Sequence, residues 1–184
     1  MKKLLVLLAF AVACSAPPKE NTPVLKAQTG DTDVESKLKE LGIELMETPP
    51  PMANYVNAVR TGNLIFLAGK GPRKADGTYI TGKLGSDLTV EEGYEAARLV
   101  AIAQLSVLKT ELGDLNKVKR IVKVLGMVNS DPDFIEQPAV VNGFSDLMVE
   151  VFGEKGKHAR AAVGMGSLPS GIAVEIEAIV EVEE

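Results

Sequence analysis

The 184-residue sequence contains one cysteine, one histidine and no tryptophan. These two metal-ligating residues cannot form an intramolecular disulfide or a Cys/His zinc site, although carboxylates alone could still hold a hard cation. Aromatic residues make up 4% of the chain, and acidic residues outnumber basic ones, which gives a formal net charge of −5. Because nucleic-acid binding needs a cationic surface that neutralises phosphates, this composition argues against a general nucleic-acid-binding protein.

The remaining composition is that of a globular protein. Hydrophobic residues account for 46% of the chain and charged residues for 24%. This mixture supplies enough apolar material for a core and excludes disorder throughout. The length allows one domain with a short appendage or, at most, two very small domains, and we expect one.

The first thirteen residues have the pattern of a secretory signal peptide. Lys2 and Lys3 precede an unbroken apolar run, residues 4–13, which ends in small residues. A membrane-spanning helix needs about 20 apolar residues, so this run is too short to cross a bilayer. We therefore expect residues 1–13 to be a cleaved signal peptide.

Cys14 follows the apolar run directly and resembles the lipidated cysteine of a bacterial lipobox. Ala11 stands where a lipobox usually has leucine, so export without lipidation is the alternative, and a cytoplasmic protein with a misleading start is the third interpretation. Residues 14–33 are polar and rich in proline, which predicts a lipidated N-terminus and a flexible tether. We expect an exported periplasmic lipoprotein anchored to the membrane, with a soluble periplasmic or secreted protein as the alternative.

Apolar periodicity after the tether predicts an α+β domain over residues 34–184. After a leading helix, the order is β-β-α-β-α-β-β, and two helices cannot cover both faces of such a sheet, so we expect them on one face. The longest helix has the best-defined ends, because Thr89 and Glu92 form a capping box and Gly113 stands at its C-terminal stop. The predicted elements are a helix at 34–45, strands at 55–60 and 63–69, a helix ending at 112, a strand at 119–129, a helix from 138 to 153, and strands at 160–167 and 173–183.

Two predicted strands are apolar on both of their faces. Residues 64–68 and residues 121–125 carry apolar side chains at most positions. A sheet with one solvated face should alternate between apolar and polar residues. The simplest cover for the second face is another copy of the chain, so we expect a homo-oligomer. The alternative is that these residues belong to a partly solvated sheet.

Sequence signatures of common catalytic sites are absent. The chain contains no G-x-S-x-G, no Walker loop and no H-E-x-x-H. A serine triad would have to recruit His158, and a single histidine in a loop is typically solvated. Arg160 begins a strand of small and apolar residues, where it either caps the edge in solvent or binds a carboxylate through two parallel hydrogen bonds. Glu175 and Glu177 share one face of the last strand, which is typical of a solvated face.

The residues around Arg160 and Glu175 resemble the C-terminal signature of the RidA/YjgF family of reactive-intermediate deaminases. The resemblance covers about residues 52–182 and is most specific in the C-terminal part. It points to a divergent RidA-like branch. The segments that carry it are residues 158–163, 167–169 and 174–179, with further agreement at residues 55–59, 68–69, 111–114, 118–119, 133–134 and 141–142 and at Phe152.

This resemblance implies a chorismate-mutase-like α+β fold and a homotrimer with active sites in clefts between subunits. The family's best-understood reaction is hydrolysis of 2-imino or enamino acids to 2-oxo acids and ammonia. The resemblance implies that Arg160 binds the substrate carboxylate and that Glu175 holds or activates the attacking water. It also assigns Tyr55, Gly69 and Asn142 to the pocket, and it implies no metal and no organic cofactor.

Three positions depart from the family pattern. Lys70 stands where many members have glutamine, and it either adds a positive charge that suits a dianionic ligand or is a surface lysine. His158 replaces a common proline, and Ala162 replaces a cysteine or threonine. The expected partners are therefore a small carboxylate substrate and other copies of the chain, with a membrane contact only through the N-terminal lipid. The alternative function is a non-catalytic small-carboxylate-binding or stress-related member, and the acidic charge disfavours a ribonuclease.

Overall fold

In the part of the chain that the structure describes, three helices and five strands follow one another in the predicted order. The computed structural model describes residues 33–49 and 53–184, so the predicted signal peptide and Cys14 lie outside the described residues. Three short 3-10 helices connect the main elements. The main elements are α1 (Val34–Glu40), β1 (Ala58–Thr61), β2 (Leu64–Lys70), α2 (Val90–Leu112), β3 (Val118–Asn129), α3 (Gln137–Phe152), β4 (Ala159–Met165) and β5 (Val174–Val182).

The strands form one mixed sheet in the order β1-β2-β5-β3-β4. All neighbouring strands are antiparallel except β3 and β4, which are parallel and are connected through α3. The final strand, β5, is thus inserted between β2 and β3, and β4 forms an edge. Consequently β4 and β5, although consecutive in the chain, are separated by β3.

Both long helices pack on one face of the sheet, as predicted. α2 begins with the capping box of Thr89 and Glu92 and ends at Gly113, which adopts a φ of 72°. α3 lies beside α2, and a side chain on Gly143 would overlap the backbone carbonyl of Tyr94. The core lies between these helices and the sheet. Fully buried sheet residues on this side include Val124, Val128, Ile176 and Val180.

The opposite face of the sheet is apolar and open. Val59 is 56% exposed, Phe66 is 42% exposed and Val163 is 39% exposed. Isolated exposed apolar residues are common, but a row of them across a sheet marks an interaction surface. The sequence expectation of a second apolar face is therefore confirmed, whereas the copy of the chain that would cover it stays a prediction.

The leading helix is shorter than predicted. α1 ends at Glu40 rather than at residue 45, because Gly42 adopts a φ of 67°, outside the helical region. The apolar residues that suggested a longer helix instead pack from the C-cap and from the non-helical segment after it: Leu41, Ile43 and Leu45 lie partly buried against the core. The first strand also starts later than predicted, at Ala58 rather than at residue 55.

A buried glutamine on α2 holds β2 and β5 together where their pairing is irregular. The register between the two strands shifts between Leu67 and Lys70. There the Nε2 amide of Gln104, which is fully buried, donates to the carbonyl of Ala68 at 2.9 Å and to that of Ile176 at 2.8 Å. Gln104 therefore satisfies two carbonyls at the irregularity that contains Gly69.

We expect Gln104→Leu to lower the free energy of unfolding by about 2–4 kcal/mol, because a buried polar group left without its partner costs about 1–3 kcal/mol. The Oε1 atom of Gln104 is buried without a hydrogen-bond partner, and its removal by the substitution offsets part of this loss. Urea denaturation measures the change. Gln137→Leu is the matched control. Among the described residues Gln137 donates only to Phe134 O, at a partly exposed position, so we expect the substitution to cost less than about 1 kcal/mol. Equal losses in the two variants would contradict the prediction.

Candidate functional site

Arg160 is held against α3 by three hydrogen bonds. It pairs in register with Val124, which is buried towards the helices, so its side chain projects on the helix side of the sheet. Its Nη1 donates to Asn142 Oδ1 and to Ser145 Oγ, both at 2.9 Å, and its Nη2 donates to the carbonyl of Pro138 at 3.3 Å. The structure therefore brings together two of the predicted site residues, Arg160 and Asn142.

These bonds leave part of the guanidinium available. An arginine has five N–H groups, of which three are used here. Within residues 33–49 and 53–184, the Nε–H and one Nη2–H of Arg160 have no partner, and no carboxylate forms an ion pair with it. Two free N–H groups on one uncompensated cation are what bidentate binding of a carboxylate requires.

Ser145 and His158 extend the hydrogen-bonded group around Arg160. His158 Nδ1 lies 2.7 Å from the carbonyl of Gly156, which can only accept, so Nδ1 carries the proton. His158 Nε2 then accepts the hydroxyl proton of Ser145 at 3.0 Å, while Ser145 Oγ accepts from Arg160. Burial, together with the positive charge of Arg160, lowers the pKa of His158 and favours this neutral form.

The expectation of a solvated loop histidine is therefore wrong, since His158 is partly buried and bonded on both ring nitrogens. Ser145 was not identified from the sequence. The available signal was its spacing, because it lies three residues after Asn142 and so on the same side of α3.

Glu175 lies on the other, open face of the sheet. It pairs with Met127, an odd number of residues from Val124, so its side chain projects opposite to that of Arg160. The carboxylate lies over Gly69, where any side chain would overlap it. Burial, and to a smaller degree the negative charge of Glu177, raises the pKa of Glu175. Glu175 has no hydrogen-bond partner in the described part of the chain, so its oxygens are free to hold water.

Within one protomer, Arg160 and Glu175 do not form one site. They lie on opposite faces of the sheet, and β3 separates their strands. One protomer thus presents two incomplete groups: Arg160 with Asn142 on the helix side, and Glu175 with Gly69 on the open face. A site that uses both groups requires two protomers.

The other two predicted pocket residues lie apart from Arg160. Tyr55 precedes β1 and is 57% exposed. Lys70 ends β2, and its ammonium donates to Asn57 Oδ1. Burial lowers the pKa of Lys70. Their roles in substrate binding stay predictions.

The described residues contain neither a metal-binding cluster nor a membrane-spanning helix. No group of three or more His, Cys, Asp or Glu side chains in residues 33–49 and 53–184 is placed to hold a metal ion. No helix in the same part of the chain combines the length and apolar character that crossing a bilayer requires.

Comparisons with known proteins identify the family. Residues 35–174 match the family model described as "YjgF/chorismate_mutase-like, putative endoribonuclease". "Protein TCP17" of Trypanosoma cruzi is 48% identical over 149 residues, which cover 80% of this chain and 93% of that protein. The "2-iminobutanoate/2-iminopropanoate deaminase" of Dermatophagoides farinae is 29% identical over 136 residues, which cover 73% of this chain and 91% of the relative.

A solved structure supports the same assignment. The crystal structure of the protein Atu1372 from Agrobacterium tumefaciens superposes with a TM-score of 0.76 at 45% identity, over 84% of this chain and 96% of the other. The described sheet and helices thus have the predicted chorismate-mutase-like fold. The chain belongs to the RidA/YjgF family, which its C-terminal residues had indicated.

Proposed function

We propose that this protein hydrolyses small 2-imino or enamino acids to 2-oxo acids and ammonia in a cleft between protomers. The observation that carries the proposal is the guanidinium of Arg160. It is a fixed cation whose Nε–H and one Nη2–H are available for a carboxylate. A relative with 29% identity is named as a 2-iminobutanoate/2-iminopropanoate deaminase, which supports the same substrate class.

The proposed reaction needs only water and proton transfers. Arg160 binds the carboxylate of the imino acid and so fixes the adjacent electrophilic C=N carbon. Glu175 accepts a proton from a water molecule as the water oxygen bonds to that carbon. The same proton then passes to the nitrogen to give a carbinolamine. Glu175 next moves the hydroxyl proton to that nitrogen, and as the carbonyl forms the C–N bond breaks and ammonia leaves with the bonding electron pair. A carboxylate with a raised pKa is suited to both steps, because it is a stronger base than an ordinary glutamate and still returns the proton.

The cleft requires neighbouring protomers, since Arg160 and Glu175 diverge within one protomer. The open face supports such an assembly: burial of exposed apolar side chains such as Val59, Phe66 and Val163 would stabilise it by about 25 cal/mol per Å². We propose a homotrimer, the arrangement that the family resemblance implies. We also propose that the assembly is exported and anchored through Cys14, on the strength of the predicted signal peptide.

Ammonia release from 2-iminopropanoate, generated in the assay, tests the proposed activity. We expect the protein to accelerate the release above the spontaneous hydrolysis measured without protein. If the two rates are equal at every pH, the proposed activity is wrong. The alternative, carboxylate binding without turnover, has its own support because one protomer by itself holds the Arg160 guanidinium in place with two N–H groups available, and binding of pyruvate without catalysis would favour it.

The pH dependence of the reaction rate should reflect the ionisation of Glu175. As a base, Glu175 must be ionised, and burial raises its pKa above the ordinary value of 4.5. We therefore expect kcat/KM to fall, as the pH decreases, at a higher pH than an ordinary glutamate would give. Glu177→Gln removes a neighbouring negative charge and should shift this acid limb to lower pH. An acid limb that is unchanged in Glu177→Gln would contradict the assignment.

A further inference from the structure

A cavity of about 60 Å³ lies on the helix side of the sheet, apart from the Arg160 group. It is enclosed by residues 46–49, by the loop that follows β2, and by one side of α2. A cavity needs roughly 10–15 Å³ to hold a water molecule, so this one has room for several waters or a small ion. Five of its lining side chains can donate hydrogen bonds. The hydroxyl of Ser106 already donates to the carbonyl of Ile102, and the other four belong to Thr48, Lys70, Arg73 and Tyr79.

Hydrogen bonds fix the walls of this cavity. The backbone N–H of Met46 donates to Ser106 Oγ at 3.1 Å, and this bond attaches the segment of residues 46–49 to α2. Asn57 joins the same segment to β2, because it donates to the carbonyl of Pro49 at 3.3 Å and accepts from Lys70. The walls are therefore preformed rather than assembled by a ligand.

Arg73 and Tyr79 belong to the loop after β2 that encloses the cavity on one side. They face each other as a bridge pair in a small hairpin, and the hairpin is closed by a turn in which Thr78 N donates to Asp76 Oδ1 at 2.9 Å. The ring of Tyr79 packs over Gly71, where a side chain would crowd it. Both side chains are thus held on a rigid support at the rim.

Two positive charges in this cavity lack a counter-charge. Neither Lys70 nor Arg73 forms an ion pair within the described residues, and the guanidinium of Arg73 has no hydrogen bond there either. The one carboxylate in the lining, that of Glu47, belongs to an exposed residue and bonds to neither cation. Among the described residues the ammonium of Lys70 bonds only to the neutral amide of Asn57, and burial lowers the pKa of Lys70 because a partly buried cation without a counter-charge is unfavourable. In a chain with an overall negative charge, this local excess of positive charge favours an anionic ligand.

An independent observation comes from Thr48. Its Oγ1 is buried and has no hydrogen-bond partner in the described part of the chain. A buried hydroxyl is normally paired, because leaving it unpaired destabilises the fold. Thr48 lines the cavity, so a rotation of its side chain that exposes Oγ1 to the cavity would let a ligand oxygen supply the missing acceptor.

We infer that this cavity binds a phosphate-sized dianionic oxyanion, separate from the substrate site at Arg160. Two cations match the double charge, and the hydroxyls of Thr48 and Tyr79 add two neutral donors for the remaining oxygens. Tyr79 is 47% exposed at the rim, so the cavity is open to solvent on that side. The oxyanion comes either from free phosphate or from the phosphate group of an ester.

Calorimetric titration of the full chain with inorganic phosphate at constant ionic strength tests the inference. We expect saturable binding that weakens at least about tenfold in Arg73→Gln, the usual loss for one charge-assisted hydrogen bond. Lys74→Gln is the matched control, because it removes the same charge at the next, exposed residue, which does not line the cavity; its affinity should stay within about twofold of wild type. Absence of saturable phosphate binding, or equal weakening in the two variants, would overturn the inference.

Thr48→Val separates a ligand-binding hydroxyl from a merely structural one. Valine has nearly the same shape and removes the unpaired hydroxyl, so we expect a higher melting temperature than wild type in phosphate-free buffer. The same variant should show a smaller rise of the melting temperature when phosphate is added. A lower melting temperature without phosphate, or an unchanged rise with it, would count against the site.

Two further ligands identify the source of the oxyanion. Binding of methyl phosphate as tightly as inorganic phosphate would indicate a site for phosphate esters, whereas binding of inorganic phosphate alone would indicate the free ion. Acetate that binds as tightly as either would overturn the preference for a dianion. Because no imine is present in these titrations, their outcome is independent of the proposed deamination.

Discussion

Replacement of Arg160 by alanine should lower kcat/KM for 2-iminopropanoate by about 100-fold or more. The variant loses two charge-assisted hydrogen bonds to the substrate carboxylate, worth about 1.5–3 kcal/mol each, and each 1.4 kcal/mol is a factor of ten. Arg160→Lys should recover little of this loss, because lysine keeps the charge but not the planar pair of N–H groups. Lysine also cannot reproduce the three bonds to α3 that hold the guanidinium. The rate of ammonia release from 2-iminopropanoate gives kcat/KM for both variants.

Arg98→Ala is the control for these variants. Arg98 pairs with Glu150 at 2.8 Å on the outer surface of the two helices, and a surface ion pair contributes about 0–1 kcal/mol to stability. We therefore expect it to keep the wild-type rate. An Arg160→Ala variant that folds, by circular dichroism, and keeps more than about a tenth of the wild-type rate would exclude Arg160 as the carboxylate-binding residue.

Local sequence features predicted the elements of this fold well. The capping box at Thr89 and the glycine at residue 113 determine the ends of α2 through backbone chemistry that a short segment contains. Residues 34–45 show the limit of periodicity. The same apolar spacing continues through the helix up to Glu40 and through the non-helical segment after it. The positive φ of Gly42 prevents the helix from continuing.

Strand order and side-chain direction could not be predicted in the same way. Nothing local to β5 indicates that it lies between β2 and β3. This long-range pairing nevertheless decides that Glu175 faces the open side while Arg160 faces α3. The family resemblance supplied the residues of the candidate site, whereas the register shows that one protomer cannot bring its two principal residues together.

A subunit-mixing experiment tests the interprotomer site directly. Arg160→Ala and Glu175→Gln should each be nearly inactive as pure assemblies. When equal amounts are unfolded and refolded together, a cleft that takes Arg160 from one protomer and Glu175 from the next has both native residues in about one case in four, as expected for random assembly in a closed ring. Two inactive proteins should therefore regain about a quarter of the wild-type ammonia-release rate.

The matched control mixes wild type with the doubly substituted chain. If both residues of a cleft come from different protomers, random assembly again leaves about a quarter of the clefts native, whereas a site within one protomer would leave about half. Recovery in the first mixture and one quarter in the second would establish the shared cleft. No recovery in the first and one half in the second would place both residues in one protomer, against the register in which they face opposite sides of the sheet. Size-exclusion chromatography of each mixture confirms that mixed assemblies have formed.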